Sequence, residues 1–340
     1  MNDIKTLVFS GSGSKIFIHI GFVKYLDDNN LFKNVDTFIG TSGGAIVSLL
    51  LSIKYDIDTL TELFLKLKYE QLEKIDSDSI LNFFDTYGID SGENMERALR
   101  IMLKNKIGKS YITFKELYEE TNNNLVICAT NLQRHQEVYF DRYTYPECDV
   151  IEAVVMSVAI PLLYTPRTYN GEFYVDGGLL NHYPIEYIEK YDLKREETLG
   201  ILILPDYNMC NSSDDSGVNN KIDIQSFESY ILNILGCSSI QKLKCTFDKY
   251  KENTVLVVNN NNGLNFNVTK EMKQKYMVEA YESTKTFLQE RKIKQIQNQS
   301  EEENPEEENI DEKKDEETTI NNDSIENSIE NSNLDNETKD

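Results

Sequence analysis

Short apolar runs closed by glycine open the chain. Residues 6–10 read as a buried strand and meet Gly11-Ser12-Gly13-Ser14, a turn, before an apolar helical segment over 16–26. Residues 35–39 read as a second strand, which passes through Gly40-Thr41-Ser42-Gly43-Gly44 into a helix over 45–53. Two strand–glycine turn–helix units in succession predict an α/β fold with a parallel sheet. Residues 58–85 carry Leu60, Leu63, Phe64 and Leu67 at helical spacing, and residues 92–104 repeat this with Met95, Ala98, Leu99 and Met102. Thr113 with Glu116 has the spacing of a capping box. Strands are predicted at 125–129, 137–140, 199–204 and 254–258, and a short apolar helix at 150–158 stopped by Pro161. Asn170-Gly171 between two short strand patterns predicts a tight hairpin. Residues 206–220 read as a polar loop and 269–289 as a final amphipathic helix.

The charge is unevenly placed. Of the formal −23, residues 301–340 hold −14, with 17 acidic and 3 basic groups and no aromatic residue. Such a segment buries too little apolar surface to offset its ordering entropy. It is expected to be a disordered acidic tail, which divides the chain into a folded domain at 1–291 and a tail at 292–340. The acidic body argues against a nucleic-acid partner, which needs a cationic face. Five scattered cysteines suggest neither a zinc site nor a disulfide framework and fit a reducing compartment. The first residues lack a signal-peptide plan and no run approaches the ~18 apolar residues of a membrane span. The expectation is a cytoplasmic protein whose membrane contact, where it has one, is peripheral.

The candidate chemistry sits on the glycine turns. Gly40-Thr41-Ser42-Gly43-Gly44 is a G-x-S-x-G sequence between strand and helix, where glycines let the backbone double back and hold the serine hydroxyl at a helix N-terminus. Gly11–Lys15 could be read as a phosphate loop. However, Lys15 is not followed by Ser or Thr as a Walker loop requires, and Ile16 stands where a dinucleotide fingerprint has its third glycine. A cradle of backbone N–H groups for an oxyanion suits it better. Asp176-Gly177-Gly178 ends a strand and frees a carboxylate to act as a base; a plain surface turn is the bland reading. Of the three histidines, His182 lies too close in sequence to Asp176 to come from the separate loop of a Ser-Asp-His hydrolase, and His19 and His135 are expected to be structural or solvated. No metal constellation is visible and no cofactor is implied.

Taken together these segments resemble the patatin-like phospholipases. Gly11-Ser12-Gly13-Ser14-Lys15 is similar to their glycine-rich first motif, Gly40–Gly44 to their nucleophile elbow, Ser157-Val158-Ala159-Ile160-Pro161 to their Ser-x-Ala-x-Pro stretch, and Asp176-Gly177-Gly178 to their base motif, all in family order. The resemblance implies a three-layer α/β/α fold with a mostly parallel central sheet. It also implies a Ser42–Asp176 dyad acting through an acyl-enzyme, with the amides of Gly11, Ser12, Gly13 and Gly43 around the oxyanion and Lys15, Gly40, Gly44, Gly177 and Gly178 in support. The implied substrate is a lipid acyl ester of phospholipid or acylglycerol type, met at a membrane or lipid-droplet surface. The family usually has glycine where Ser12 and Ile16 stand, so the alternative is a catalytically weakened lipid-binding protein on the same fold. Phe83, Phe84 and Tyr87, with Leu162, Leu163 and Tyr164, are candidates for an apolar mouth; ordinary core packing is the bland reading of both groups.

Overall fold

The computed structural model describes residues 3–72, 81–204, 227–261, 263 and 265–302. The helices of eight or more residues are α1 (Phe17–Asp28), α2 (Gly43–Ser52), α3 (Ile57–Lys66), α4 (Glu93–Ile107), α5 (Phe114–Thr121), α6 (Val150–Ser157), α7 (Phe227–Tyr250) and α8 (Lys270–Glu302). The strands are β1 (Thr6–Phe9), β2 (Thr37–Thr41), β3 (Gly88–Asp90), β4 (Asn124–Asn131), β5 (Gln136–Phe140), β6 (Leu162–Tyr164), β7 (Arg167–Tyr169), β8 (Glu172–Asp176), β9 (Thr198–Leu204) and β10 (Thr254–Val258).

Strands β10, β9, β1, β2 and β4 pair in that order, all parallel. Both faces of these strands are apolar, as a parallel sheet covered on two sides requires. Side chains alternate between the faces. Leu7, Phe9, Phe38, Leu125, Ile127, Ile201 and Ile203 join the core formed with α1, α2 and α6. Val8, Ile39, Val126, Cys128, Leu202 and Leu204 join the opposite core, formed with Tyr183, Ile185, Ile188 and α7. The result is the expected three-layer α/β/α fold.

Strand β4 organises the far side. It pairs β5 over Ile127–Asn131, β2 over Asn124–Cys128 and β8 over Ala129–Asn131. A strand residue has two edges and each takes one partner. Since β5 overlaps both other strands along β4, it must hold one edge alone, and β2 and β8 share the other, end to end. Strand β2 runs parallel to β4 and β8 antiparallel, so their C-terminal ends face each other. Thr41 is opposite Cys128 and Asp176 opposite the next residue, Ala129.

Local signals account for several ends. The capping box at Thr113 is present, with Glu116 N–H donating to Thr113 Oγ1 at 3.2 Å and Thr113 N–H to Glu116 Oε2 at 2.9 Å. Asn170 and Gly171 both take positive φ, 51° and 80°, as the β7–β8 hairpin turn requires.

Two expectations need correction. The helix predicted over 58–85 stops at Lys66, where Leu67 turns to φ −59°, ψ 131°, and residues 73–80 of that stretch lie outside the described residues. Tyr69 then anchors the chain, its hydroxyl donating to Ser14 O at 3.2 Å and its ring packing on Phe17 and Phe266. The final helix runs to Glu302 and not to 289. Its last buried apolar residue is Leu288. Beyond that the sequence is rich in Lys, Glu and Gln, which favour helix by propensity. A compact unit ends at Lys292, and of the acidic tail expected over 292–340, residues 303–340 lie outside the described residues. So does the polar loop expected at 206–220. Helix α7 and the β3–β6 pair were not anticipated.

Candidate active site

Ser42 is the junction of β2 and α2. It has φ 55° and ψ −124°, a conformation that a side chain rarely adopts. The flanking glycines are what permit it. A Cβ on Gly44 would lie 2.5 Å from the carbonyl oxygens of Phe9 and Ser10, and one on Gly40 2.6 Å from Ser48 Oγ. The elbow is thus pressed against the end of β1 more closely than any larger residue allows. A polar bridge fixes it from below: Ser42 N–H donates to Ser157 Oγ at 2.9 Å, and Ser157 Oγ–H donates to Cys128 O at 2.6 Å. Thr41 Oγ1 donates to Asn181 O at 3.0 Å.

Asp176 closes β8 one β4 residue further along. Its N–H donates to Ala159 O at 2.8 Å and its carbonyl accepts from Thr130 Oγ1 at 3.0 Å. Gly177 brings the following turn against β4, where a Cβ would stand 2.9 Å from Cys128 C and 3.0 Å from a Thr41 methyl. The Gly178 amide donates to Asp176 Oδ1 at 2.7 Å. Burial pushes the Asp176 carboxyl up to about 6, and the Ser42 hydroxyl and Gly178 amide partly offset this. Ser42 is thus near enough to act on the carboxyl's titration, although Oδ2 makes no well-aligned hydrogen bond. Loose pairing of this kind is common before substrate binds.

The expected oxyanion donors do not all survive. The Gly11 N–H donates to His182 O at 2.8 Å and is already taken. The amides of Ser12, Gly13 and Gly43 have no acceptor assigned among the described residues. Gly13 and Gly43 line a cavity together with Ser42, and a Cβ on Gly43 would come within 3.4 Å of Gly13 N. Ser12 has an allowed φ of −140°. Its buried hydroxyl has no partner and presses on Gly43. Ile16 is unstrained at φ −52° and its side chain joins the cavity wall, so the missing glycine forces no distortion.

Lys15 is buried, its Nζ 3.3 Å from Asn259 O, and burial lowers its pKa to about 8. His19 is buried with Nε2 2.9 Å from Ser10 O, and burial holds it neutral, pushed down to about 3. His182 is half-buried and packs on Gly11, where a Cβ would lie 2.7 Å from its Cε1. Burial lowers its pKa to about 4, with nearby Lys15 adding to the effect. No hydrogen bond joins it to Ser42 or Asp176 among the described residues. His135 is exposed in the β4–β5 turn.

The cavity beside Ser42 has a volume of about 90 Å³ and is lined almost wholly by apolar groups. Leu63 and Phe64 of α3, with Leu67 just after it, line it together with Met95, Leu99 and Met102 of α4 and with Ile160 and Tyr164. The periodic faces of the two helices were visible in the sequence, but not that they enclose a space. The sequence shows Ser157 only as part of a motif, whereas the fold makes it a bridge between Ser42 and Cys128.

Residues 7–188 of the chain match the family of the patatin-like phospholipases. The chain belongs to this family. A protein of Invertebrate iridescent virus 6 named "probable lipid hydrolase" is 34% identical over 197 residues, covering 57% of this chain and 66% of its own length. An uncharacterized protein of Acanthamoeba polyphaga mimivirus is 26% identical over 276 residues, 81% of this chain and 89% of its own. Among solved structures, VipD from Legionella pneumophila superposes with a TM-score of 0.57 at 17% identity, over 85% of this chain and 67% of VipD. The type III effector ExoU gives 0.51 at 18% identity, over 85% of this chain and 53% of ExoU. These two likenesses concern the fold.

The titration of Asp176 makes a stability prediction. Its pKa in the folded protein, about 6, lies above the ordinary 3.8. Its contribution is therefore fully present below pH 3.8 and is lost as pH rises through 6, where the buried group must ionise. Asp176→Asn removes that cost, up to about 3 kcal/mol. The variant should melt above the wild type at pH 8, with the gap shrinking as pH falls below 5. Thermal melts at both pH values test this, and a gap independent of pH would refute the desolvated carboxyl.

Proposed function

We propose that the chain hydrolyses lipid acyl esters through a Ser42–Asp176 dyad. The observation that carries this reading is the strained elbow, which holds Ser42 beside both a buried carboxyl and an apolar cavity. Ser42 Oγ attacks the ester carbonyl carbon while its proton passes to Asp176. The negative oxygen of the tetrahedral intermediate is held by the amides of Gly13, Gly43 and Ser12. Collapse breaks the bond to the alcohol, which leaves with the proton from Asp176, and Ser42 keeps the acyl group. Water then attacks, Asp176 takes its proton, and a second collapse frees the acid and returns the proton to Ser42. The chemistry calls for no cofactor. The wall from Leu63 to Met102 suits an aliphatic acyl chain, which burial there would remove from water. The partner is then a lipid aggregate such as a membrane or lipid-droplet surface.

Gly11, with its amide occupied, and Ser12, with its added side chain, favour a second reading in which the site binds lipid but turns over weakly. A fluorophosphonate probe separates the two, because only an activated Ser42 is labelled.

Ser42→Ala and Asp176→Asn should each lower kcat on a soluble short-chain ester by about a thousandfold or more, and the double variant should be little worse than either, as expected of groups acting as a unit. Turnover near wild type in folded Ser42→Ala would end the proposal.

His182→Ala should keep most of the activity, because the dyad needs no imidazole. A loss as deep as that of Ser42→Ala would replace the dyad with a triad.

We assign catalysis to the folded domain and none of it to the acidic segment. Removing residues 303–340 should leave kcat/KM on the soluble ester and the melting temperature unchanged. A lowered melting temperature would show that the segment packs on the domain.

A further inference from the structure

The β3–β6 ribbon joins the acyl cavity to an apolar patch on the outside of the protein. Gly88 pairs with Leu162 and Asp90 with Tyr164. The close approach needs Gly88, since a Cβ there would meet Tyr164 O at 2.5 Å. On the inner side Ile160 and Tyr164 line the cavity, and Leu163 and Tyr164 are buried, so those two candidates for the mouth belong to the interior. The outer side is different. Phe84 is 84% exposed, Leu81 78%, Tyr87 57% and Leu162 40%. The rings of Phe83 and Phe84 meet edge-on at 5.4 Å. Tyr87 and Leu162 both take left-handed backbone, φ 58° and 69°. For leucine this conformation is a genuine outlier, and here it accompanies an exposed apolar side chain. Tyr87 is held as a left-handed helix cap, its N–H donating to Phe83 O at 2.8 Å, and Leu162 by its pairing with Gly88, yet both side chains face outward.

We infer that Leu81, Phe84, Tyr87 and Leu162 form a docking surface that inserts into a zwitterionic lipid surface beside the acyl cavity. The inference rests on the lipid-hydrolase reading and locates where that enzyme meets its aggregate. Charge selects the kind of lipid. Residues 81–90 contain no lysine or arginine, and Asp85 is exposed among the apolar side chains. Anionic head groups would be repelled, and attraction by a basic patch has no source there. Insertion of aromatic and aliphatic side chains into neutral lipid is the mode left. The ribbon then places the surface within two residues of the cavity wall at Tyr164, so an acyl chain lifted from the lipid passes directly to Ser42.

Docking can be read without turnover. In the Ser42→Ala background, flotation with phosphatidylcholine vesicles should show binding that 0.5 M salt (an ionic strength of about 0.5 M, well above physiological) does not weaken and added phosphatidylserine does not strengthen. Leu81→Ser with Phe84→Ser should reduce the bound fraction on the order of tenfold. In the active protein the same pair should lower hydrolysis of vesicles while sparing a soluble ester. An unchanged bound fraction overturns the inference. So does binding that requires phosphatidylserine. Equal loss on both substrates with a lowered melting point returns these residues to the core. A concentration-dependent dimer, seen by sedimentation and abolished by the substitutions, assigns the patch to a second copy of the chain. Failure of the hydrolase reading looks different, because the wild type would then bind vesicles yet leave the soluble ester intact.

Discussion

One edge of β4 receives two strands from opposite directions, and the site depends on it. Strand β2 ends opposite Cys128 and β8 ends opposite Ala129. Neither can lengthen without colliding with the other, so each must turn out of the sheet at the same place. The first turn carries Ser42 and the second Asp176. The juxtaposition therefore does not need a precise loop. It follows from strand pairing, whose spacing is set by backbone hydrogen bonds. Gly177 and Ser157 then connect both turns to Cys128, one through close packing and the other through the bridge from Ser42 N–H to Cys128 O.

The strain at Ser42 is sustained by that arrangement. A serine at φ 55°, ψ −124° costs on the order of 1–3 kcal/mol. It persists because α2 is held by the sheet core, the glycines sit against Phe9 and Ser10, and the amide is fixed by Ser157. Relaxing the elbow would break several of these contacts together. This explains why the glycine positions at 40 and 44 tolerate no Cβ, whereas position 16, which tolerates an isoleucine, uses its side chain to wall the cavity.

Much of this was legible in the sequence, and for physical reasons. Strands buried on both faces read as unbroken apolar runs, and a turn that needs close backbone approach announces itself through glycine. Ser42 and Asp176 stood out on those grounds. Other features are carried by long-range contact and leave no local mark. That Gly11's amide is taken by His182 depends on two loops 171 residues apart meeting. The break after Lys66 depends on Tyr69 reaching Ser14, while the apolar spacing that runs through Leu67 invites a longer helix. The exposed side of the 81–87 segment has the same composition as a core helix. Only burial separates the two, and it places Phe84 outside and Leu163 inside.

Burial of the Asp176 carboxyl links mechanism to stability. An ordinary aspartate is too weak a base to draw a proton from serine effectively. Desolvation raises its pKa, which in the proposed dyad would make it a more effective general base. The same desolvation destabilises the folded protein at every pH at which the group is ionised. Catalysis by a dyad without histidine thus requires a scaffold that holds an ionised carboxyl in a dry place against that cost. The sheet fixes the Asp176 backbone through Thr130 and Ala159, and the side chain is buried. In the proposed mechanism an acyl chain in the cavity beside Ser42 would exclude water from the site.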